Sequence, residues 1–291
     1  MNSIEVKHLT KAFGGLRAVD DLSVVIPRGV ATGLIGPNGS GKTTLMNLLT
    51  GTLAPDCGEI VINSPNCHCE QSEAIQSIKQ NKLDCRVASA LRNDNLVFKS
   101  IDPTRLRSLR IARTFQDGRL VNQMSVADNL LLAITKTGIG SGLMEQVGRP
   151  CPKVALSKAG LGQTCPTYTE RVDVILQKIN LWDKRDVNAE DLSYGQRKLL
   201  ELGRAIIQDA DIYLLDEPFT GLFPAVVEQV AQLLTELKNA GKTLVIIEHN
   251  IGLIRRLCDN IIVLDHGQLL ASGTPAAILA NKKVQEAYLG V

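Results

Sequence analysis

The chain has 291 residues, 44% of them hydrophobic and 21% charged, which gives room for one large α/β domain or a core with a smaller lobe. A formal net charge of +2 and an aromatic content of 3% argue against a nucleic-acid surface, and no nucleic acid is expected as a partner. The longest apolar runs, such as Leu130–Ile134 and Leu244–Ile247, are far too short to span a bilayer. A membrane role would therefore need a partner that supplies the spans.

The start, Met1-Asn2-Ser3-Ile4-Glu5-Val6, lacks the basic-then-apolar plan of a secretory leader. With seven cysteines and no leader, reduced thiols are the expectation. Ile4-Glu5-Val6-Lys7-His8-Leu9 alternates with period two and predicts a half-buried strand. Ala18–Ile26 predicts a second, stopped by Pro27-Arg28-Gly29. Val30–Ile35 is an apolar run into a glycine-rich turn, Thr43–Leu49 has helical character, and Glu59–Ile62 predicts another strand.

From Asn63 to about Ser100 the chain is polar and mixed in charge, and it is read as an insertion, helical around Ala74–Gln80. Within it, Cys67-His68-Cys69 lacks the two-residue gap that lets two thiolates grip one zinc, so loop residues are expected rather than a metal site. Ile111–Phe115 predicts a strand and Val126–Ile134 a helix; residues 136–167, rich in Gly, Pro, Ser and Thr, predict a loop. Val172, Ile175, Leu176 and Ile179 have the spacing of one helix face. A helix over Gln196–Ile207 follows. Ile212–Leu215, Ala225–Lys238, Thr243–Ile247, Ile251–Leu257 and Ile261–Leu264 then alternate strand and helix, which predicts a largely parallel sheet covered by helices.

Gly36-Pro37-Asn38-Gly39-Ser40-Gly41-Lys42-Thr43 fits G-x-x-x-x-G-K-[ST] between an apolar strand and a helix. The glycines let backbone N–H groups turn inward toward phosphate oxygens, Lys42 reaches the β- and γ-phosphates, and the Thr43 hydroxyl suits Mg²⁺. Thr44, next in the chain, is counted with the nucleotide-contacting residues. Farther on, an apolar strand runs into Asp216-Glu217. Beside a phosphate loop, Asp216 can hold the Mg²⁺ shell and Glu217 can take a proton from an attacking water. Ser193 is well placed to cap the helix after Leu192-Ser193-Tyr194-Gly195-Gln196, and Gly195 lets a phosphate approach the backbone. One nucleotide does not need two anion sites in one protomer. The economical reading is that this second site covers the γ-phosphate of a nucleotide held by another copy.

In this order the motifs resemble those of ABC-transporter nucleotide-binding subunits, over most of the chain outside its two polar stretches. The resemblance implies an α/β P-loop NTPase (RecA-like) core with an N-terminal antiparallel β-subdomain and an inserted α-helical subdomain. Residues 1–291 would form a single nucleotide-binding domain: 1–116 and 192–291 the ATP-binding core, with the polar insertion at 64–100, and 117–191 the helical subdomain. Phe13 matches the aromatic that stacks on adenine, and Gly36–Thr43 the Walker A loop. Gln116 matches the Q-loop glutamine at Mg²⁺ and the attacking water; Ser193, Gly195 and Gln196 belong to the signature. Asp216 and Glu217 match the Walker B aspartate and the catalytic glutamate, and His249 the switch histidine. The metal set implied is Thr43, Gln116 and Asp216, with ATP and Mg²⁺ bound.

Ile111-Ala112-Arg113-Thr114-Phe115-Gln116, Leu192–Gln196 and the ending Gly273-Thr274-Pro275 … Ala287-Tyr288-Leu289-Gly290 look like the branched-chain amino-acid importer group. Urea and amide importers share the style, as does the lipopolysaccharide-extracting ATPase, whose signature usually carries Gly where Tyr194 stands. The resemblance implies permease subunits, a second ATPase subunit (identical or a paralogue), an external solute-binding protein, and a peripheral position on the cytoplasmic face of the inner membrane. Departures are Phe223 for a customary Asn, Arg110 for a customary Gly, and a longer connector over residues 64–100. A soluble ABC module without a permease is disfavoured because such chains often carry two ATPase domains. A catalytically dead subunit is disfavoured because Lys42, Glu217 and His249 are all present. Asn81-Lys82-Leu83-Asp84 matches the guanine-reading N-K-x-D of GTPases, but no apolar strand precedes it.

Overall fold

Strands β1 (Asn2–Phe13), β2 (Leu16–Pro27), β4 (Cys57–Ile62), β5 (Ala90–Arg92) and β6 (Asn95–Phe98) pair antiparallel in the order β2-β1-β4-β6-β5. The computed structural model describes residues 2–63, 90–92, 95–114, 120–134 and 168–289. Ile4, Val6 and Leu9 of β1 are all buried, so the alternation slips by one residue between Val6 and Leu9. The register shifts there, and His8 takes φ 51°. An extra residue in a strand bends it and restores the inward face beyond the bulge.

A second sheet joins β3 (Ala31–Ile35), β7 (Ile111–Arg113), β8 (Ile212–Asp216), β9 (Thr243–Ile247), β10 (Asn260–Asp265) and β11 (Gln268–Gly273). Its order is β11-β10-β3-β9-β8-β7, parallel throughout except for the β10–β11 hairpin. Every residue of β3, β8 and β9 is buried, the pattern of central parallel strands covered on both faces. Helix α1 (Lys42–Leu49) buries Leu45, Met46, Leu48 and Leu49 in a core shared with Ile4, Leu22, Leu34 and Leu214. Each such side chain contributes about 1.5–3 kcal/mol on burial.

The chain separates into two compact units: one of Met1–Gln116, Ala210–Thr220 and Ala231–Val291, the other of Asp117–Asp209 and Gly221–Val230. The second contains α2 (Val126–Ile134), α3 (Tyr168–Lys178) and α4 (Tyr194–Ile206). Its α4 was expected in the ATP-binding core by the division at residue 192. The packing explains the difference. A methyl group on Gly203 of α4 would come within 2.9 Å of Ile179, 3.3 Å of Ile175 and 3.3 Å of Leu130, so α4 lies against the residues of α2 and α3. Buried Asn129 secures the start of this unit: its Nδ2 donates to Val121 O, Met124 O and Ser125 O, and its Oδ1 accepts from Val121 N. Both polar atoms of its amide are hydrogen-bonded, as burial requires.

The remaining expected elements lie where the sequence placed them, including α5 (Pro224–Asn239) and α6 (Ile251–Leu257). Strand β11 has no counterpart in the sequence reading, and neither do β5 and β6, which fall inside the stretch read as a polar insertion; β6 pairs with β4 and buries Val97 and Phe98. The predicted helix around 74–80, the Cys67-His68-Cys69 and Asn81–Asp84 motifs and the 136–167 loop lie outside the described residues.

Candidate nucleotide-binding and catalytic site

The phosphate loop starts at the carboxyl end of β3, where Gly36 has φ 152° and Gly41 φ 97°. A Cβ on Gly36 would stand 2.1 Å from Leu264 O, and one on Gly41 2.3 Å from Ala18 O. The loop therefore runs against neighbouring backbone where no side chain fits. No side chain caps the start of α1. Its first-turn N–H groups thus form an anion site at the positive end of the helix. Asn38, Gly39 and Thr43 are exposed, Pro37 and Thr44 half-buried and Ser40 buried. The Lys42 ammonium donates to Gly36 O and Pro37 O, both at 2.8 Å, and lies 3.4 Å from Ser40 Oγ. Burial holds Lys42 below the usual lysine range, and the nearby charges of Glu217 and Asp216 oppose that shift.

Strands β8 and β9 deliver the other groups to the same unit. Asp216 ends β8 opposite Ile247 of β9, and Glu217 N donates to Ile247 O at 3.0 Å. Glu217 has φ 48°, a left-handed turn that sends its carboxylate away from the strand direction. Its Oε1 lies 3.0 Å from His249 Nε2. Thr220 Oγ1 donates to its Oε2 at 3.2 Å. Asp216 is buried; Arg113 Nη2 lies 3.7 Å from its Oδ2, and its N–H donates to Thr114 Oγ1 at 3.2 Å. Arg113 Nη1 also donates to Thr50 Oγ1 at 2.7 Å, so one guanidinium ties the end of α1 to the end of β8.

Phe13 stands at the tip of the β1–β2 hairpin, 47% exposed and directly opposite exposed Leu16. The Lys11 ammonium lies 5.7 Å from its ring centre. Asp56 accepts from both Lys11 Nζ and Ala12 N at 2.8 Å, which secures the strand that carries the ring.

Ser193, Gly195 and Gln196 belong to the second unit. Ser193 caps α4: its Oγ accepts from Gln196 N at 3.4 Å, and Gln196 Oε1 accepts from Ser193 N at 3.1 Å. A Cβ on Gly195 would lie 3.3 Å from Val226, so close packing within the unit already favours glycine there. Gln116 lies outside the described residues.

The structure thus brings Lys42, Asp216, Glu217 and His249 together at the ends of neighbouring parallel strands. Three participants escaped sequence reading. Arg113 and Thr114 stand inside a motif whose other residues draw the eye, and their contacts need the parallel pairing of β7 with β8. Glu248, buried, accepts from Phe219 N at 3.0 Å and His249 N at 3.1 Å. Its signal was available: a carboxylate directly after an apolar strand, which burial would oblige to find donors.

A family profile described as ABC transporter matches residues 19–220. The chain belongs to the ABC transporter family. It is an ATP-binding and ATP-hydrolysing member of that family, and a profile described as branched-chain amino acid ATP-binding cassette transporter matches residues 268–291. The high-affinity branched-chain amino acid transport ATP-binding protein LivG of Salmonella typhimurium is 33% identical, covering 99% of this chain and 97% of its own length. The corresponding protein BraF of Pseudomonas aeruginosa is 30% identical over 99% of this chain and 97% of its own. Among solved structures, a nucleotide-free ATP-binding cassette from an ABC transporter superimposes with a TM-score of 0.72 at 28% identity, covering 100% of both chains. An ATP-binding cassette in its ADP conformation gives 0.71 at 28% identity, again over 100% of both. No helix among the described residues of this ABC ATPase is long and apolar enough to cross a membrane.

Proposed function

We propose that this ABC ATPase powers the import of branched-chain amino acids through a separate membrane permease. A second ATPase subunit would complete its sites, and an external solute-binding protein would deliver the cargo. The subunit would sit on the cytoplasmic face of the membrane. The observation that carries the reading is the convergence of Lys42, Asp216, Glu217 and His249 in a family member whose relatives are named as branched-chain amino acid transport ATP-binding proteins.

In this reading the uncapped start of α1 and the Lys42 ammonium receive the β- and γ-phosphates of ATP. Lys42 exchanges its loop carbonyls for phosphate oxygens. Phe13, open on its hairpin tip, stacks on the adenine. Glu217 takes the proton of the attacking water as its oxygen bonds to the γ-phosphorus and the bond to ADP breaks. His249 and Thr220 hold the Glu217 carboxylate from either side, and His249 contacts the γ-phosphate. The exposed Thr43 hydroxyl and the buried Asp216 carboxylate form a hard oxygen set that suits Mg²⁺, with Gln116 as the third member of the set. Mg²⁺, when bound, neutralises charge on the phosphate oxygens. Ser193, Gly195 and Gln196 cover the terminal phosphate of a nucleotide held by the partner subunit. Met1–Gln116, Ala210–Thr220 and Ala231–Val291 act as the ATP-binding core, and Asp117–Asp209 with Gly221–Val230 as the helical subdomain that meets the permease.

The test is reconstitution. The chain is co-expressed with permease subunits of a branched-chain amino-acid importer from the same source, placed in liposomes and supplied with MgATP. Uptake of labelled leucine, isoleucine or valine is the expected result. Uptake of urea or short amides in its place, or an active ATPase that never associates with a membrane protein, would overturn the proposal.

A further inference from the structure

Glu248 is buried, only 4% exposed, and is not one of the groups that face phosphate in the proposed mechanism. Its Oε1 accepts from Phe219 N at 3.0 Å and its Oε2 from His249 N at 3.1 Å, and Asn250 N is a third backbone donor to it. Phe219 follows Glu217 by two residues in the turn after β8; His249 and Asn250 follow β9. One carboxylate thus joins the two turns whose side chains meet at the 3.0 Å contact between Glu217 Oε1 and His249 Nε2.

We infer that Glu248 is a positioning residue for hydrolysis: by accepting backbone N–H groups from both turns, it sets Glu217 and His249 at catalytic separation. The inference rests on the proposed roles of those two residues. The three groups that hydrogen-bond to Glu248 are all backbone N–H donors, so a group that accepts on both oxygens suits the site; an amide would turn its own N–H groups toward N–H groups. Burial, chiefly, pushes the Glu248 carboxyl above its usual range, while the three backbone donors pull it back toward ionisation. Glu217, at φ 48°, could swing with its turn if the link to Phe219 were released. The strands β8 and β9 would keep their register on that loss, because their pairing through Asp216 and Ile247, and the bond from Glu217 N to Ile247 O, do not involve Glu248.

The test measures kcat for MgATP hydrolysis, nucleotide Kd and thermal midpoint in the full chain carrying Glu248→Gln, His249→Ala or both. Glu248→Gln is expected to lower kcat about tenfold or more and to leave Kd within about twofold, since Lys42 and Phe13 are untouched. Added to His249→Ala, it should lower kcat by clearly less than it does alone, because part of its effect runs through His249. An unchanged kcat, or losses that multiply fully in the double variant, would overturn the inference. A purely structural role would lower the midpoint without this non-additivity. Should Glu248→Gln fail to fold, Glu248→Asp, which keeps the charge and shortens its reach, is measured in the same cycle with the same two outcomes. Full activity in Glu217→Gln would instead strike the underlying mechanism, so the two failures are distinguishable.

Discussion

His249 Nε2 and Glu217 Oε1 lie 3.0 Å apart, although 32 residues of chain separate them. An ionised carboxylate only accepts, so the imidazole donates. Glu217→Gln keeps the shape and removes the proton acceptor. Steady-state phosphate release should fall about a hundredfold or more, while equilibrium nucleotide binding persists. Undiminished turnover would rule out Glu217 as the general base.

Nucleotide-driven pairing of two subunits is tested at Ser193. This residue is exposed, and its capping box with Gln196 is local to α4. Ser193→Arg, in a Glu217→Gln background, should abolish the ATP-dependent dimer seen by size-exclusion chromatography with light scattering. Loss of the cap itself costs about 1 kcal/mol, so the chain should stay folded. A dimer that still forms on adding ATP would argue against the shared site.

The chemistry of the first unit was legible because it lies in contiguous segments. A glycine turn and Lys42 announce a phosphate site within the eight residues Gly36–Thr43, directly after an apolar strand, and β8 and β9 declare themselves by apolar runs. The contact between Glu217 and His249 was not legible as a distance, since it depends on β8 pairing with β9. Strands β5 and β6, of three and four residues, are too short for period two to emerge from a polar stretch. The allegiance of α4 was hidden for another reason: Gly203 reads as a weak helix position until Ile175 and Ile179 are seen to fill the space beside it.

Arg110 explains its own departure from glycine. It adopts φ 55°, where glycine is at ease, yet its guanidinium makes two bonds to Asp211, Nε to Oδ2 at 2.8 Å and Nη2 to Oδ1 at 3.2 Å. Arg110→Ala keeps the strained backbone and loses the pair; Arg110→Gly loses the pair and relieves the strain. Denaturant unfolding should therefore rank Gly above Ala by about 1 kcal/mol. The reverse order would show that the backbone conformation carries no penalty.

Phe223 precedes Pro224 at the start of α5, with its carbonyl accepting from Val226 N at 2.9 Å and Val227 N at 3.0 Å. An asparagine in that place could also cap the helix through its side chain. Phenylalanine cannot, and its ring is 79% exposed. Phe223→Asn should raise stability by about 0.5–1 kcal/mol in denaturant unfolding. No gain would mean that the ring holds a contact worth as much as the cap.

Cys258 is buried against β3, and burial pushes its thiol from 9.0 up to about 12. Between those values the unfolded chain releases a proton that the folded chain keeps. Folding stability from this group is therefore complete below pH 9 and declines as pH rises toward 12. Cys258→Ala should flatten the alkaline decline in thermal midpoint. Mass-spectrometric mapping of iodoacetamide labelling at pH 8 should find adducts on exposed Cys57 and none on Cys258 in the native state. Equal labelling of the two would contradict the packing.

The pairing of β1 with β4 sets Thr10 beside Cys57 at one margin of the sheet and Ile4 beside Ile62 at the other. The chain leaves β4 at Ile62, and β6 pairs Leu96 with that same residue, so β4 ends and β6 begins at the margin remote from Phe13. Extra length inserted there is anchored away from the exposed Phe13 ring and costs closure entropy that grows only logarithmically. That margin is accordingly where evolution could lengthen this chain, and where a fluorescent reporter could be grafted, without disturbing the fuel-burning end.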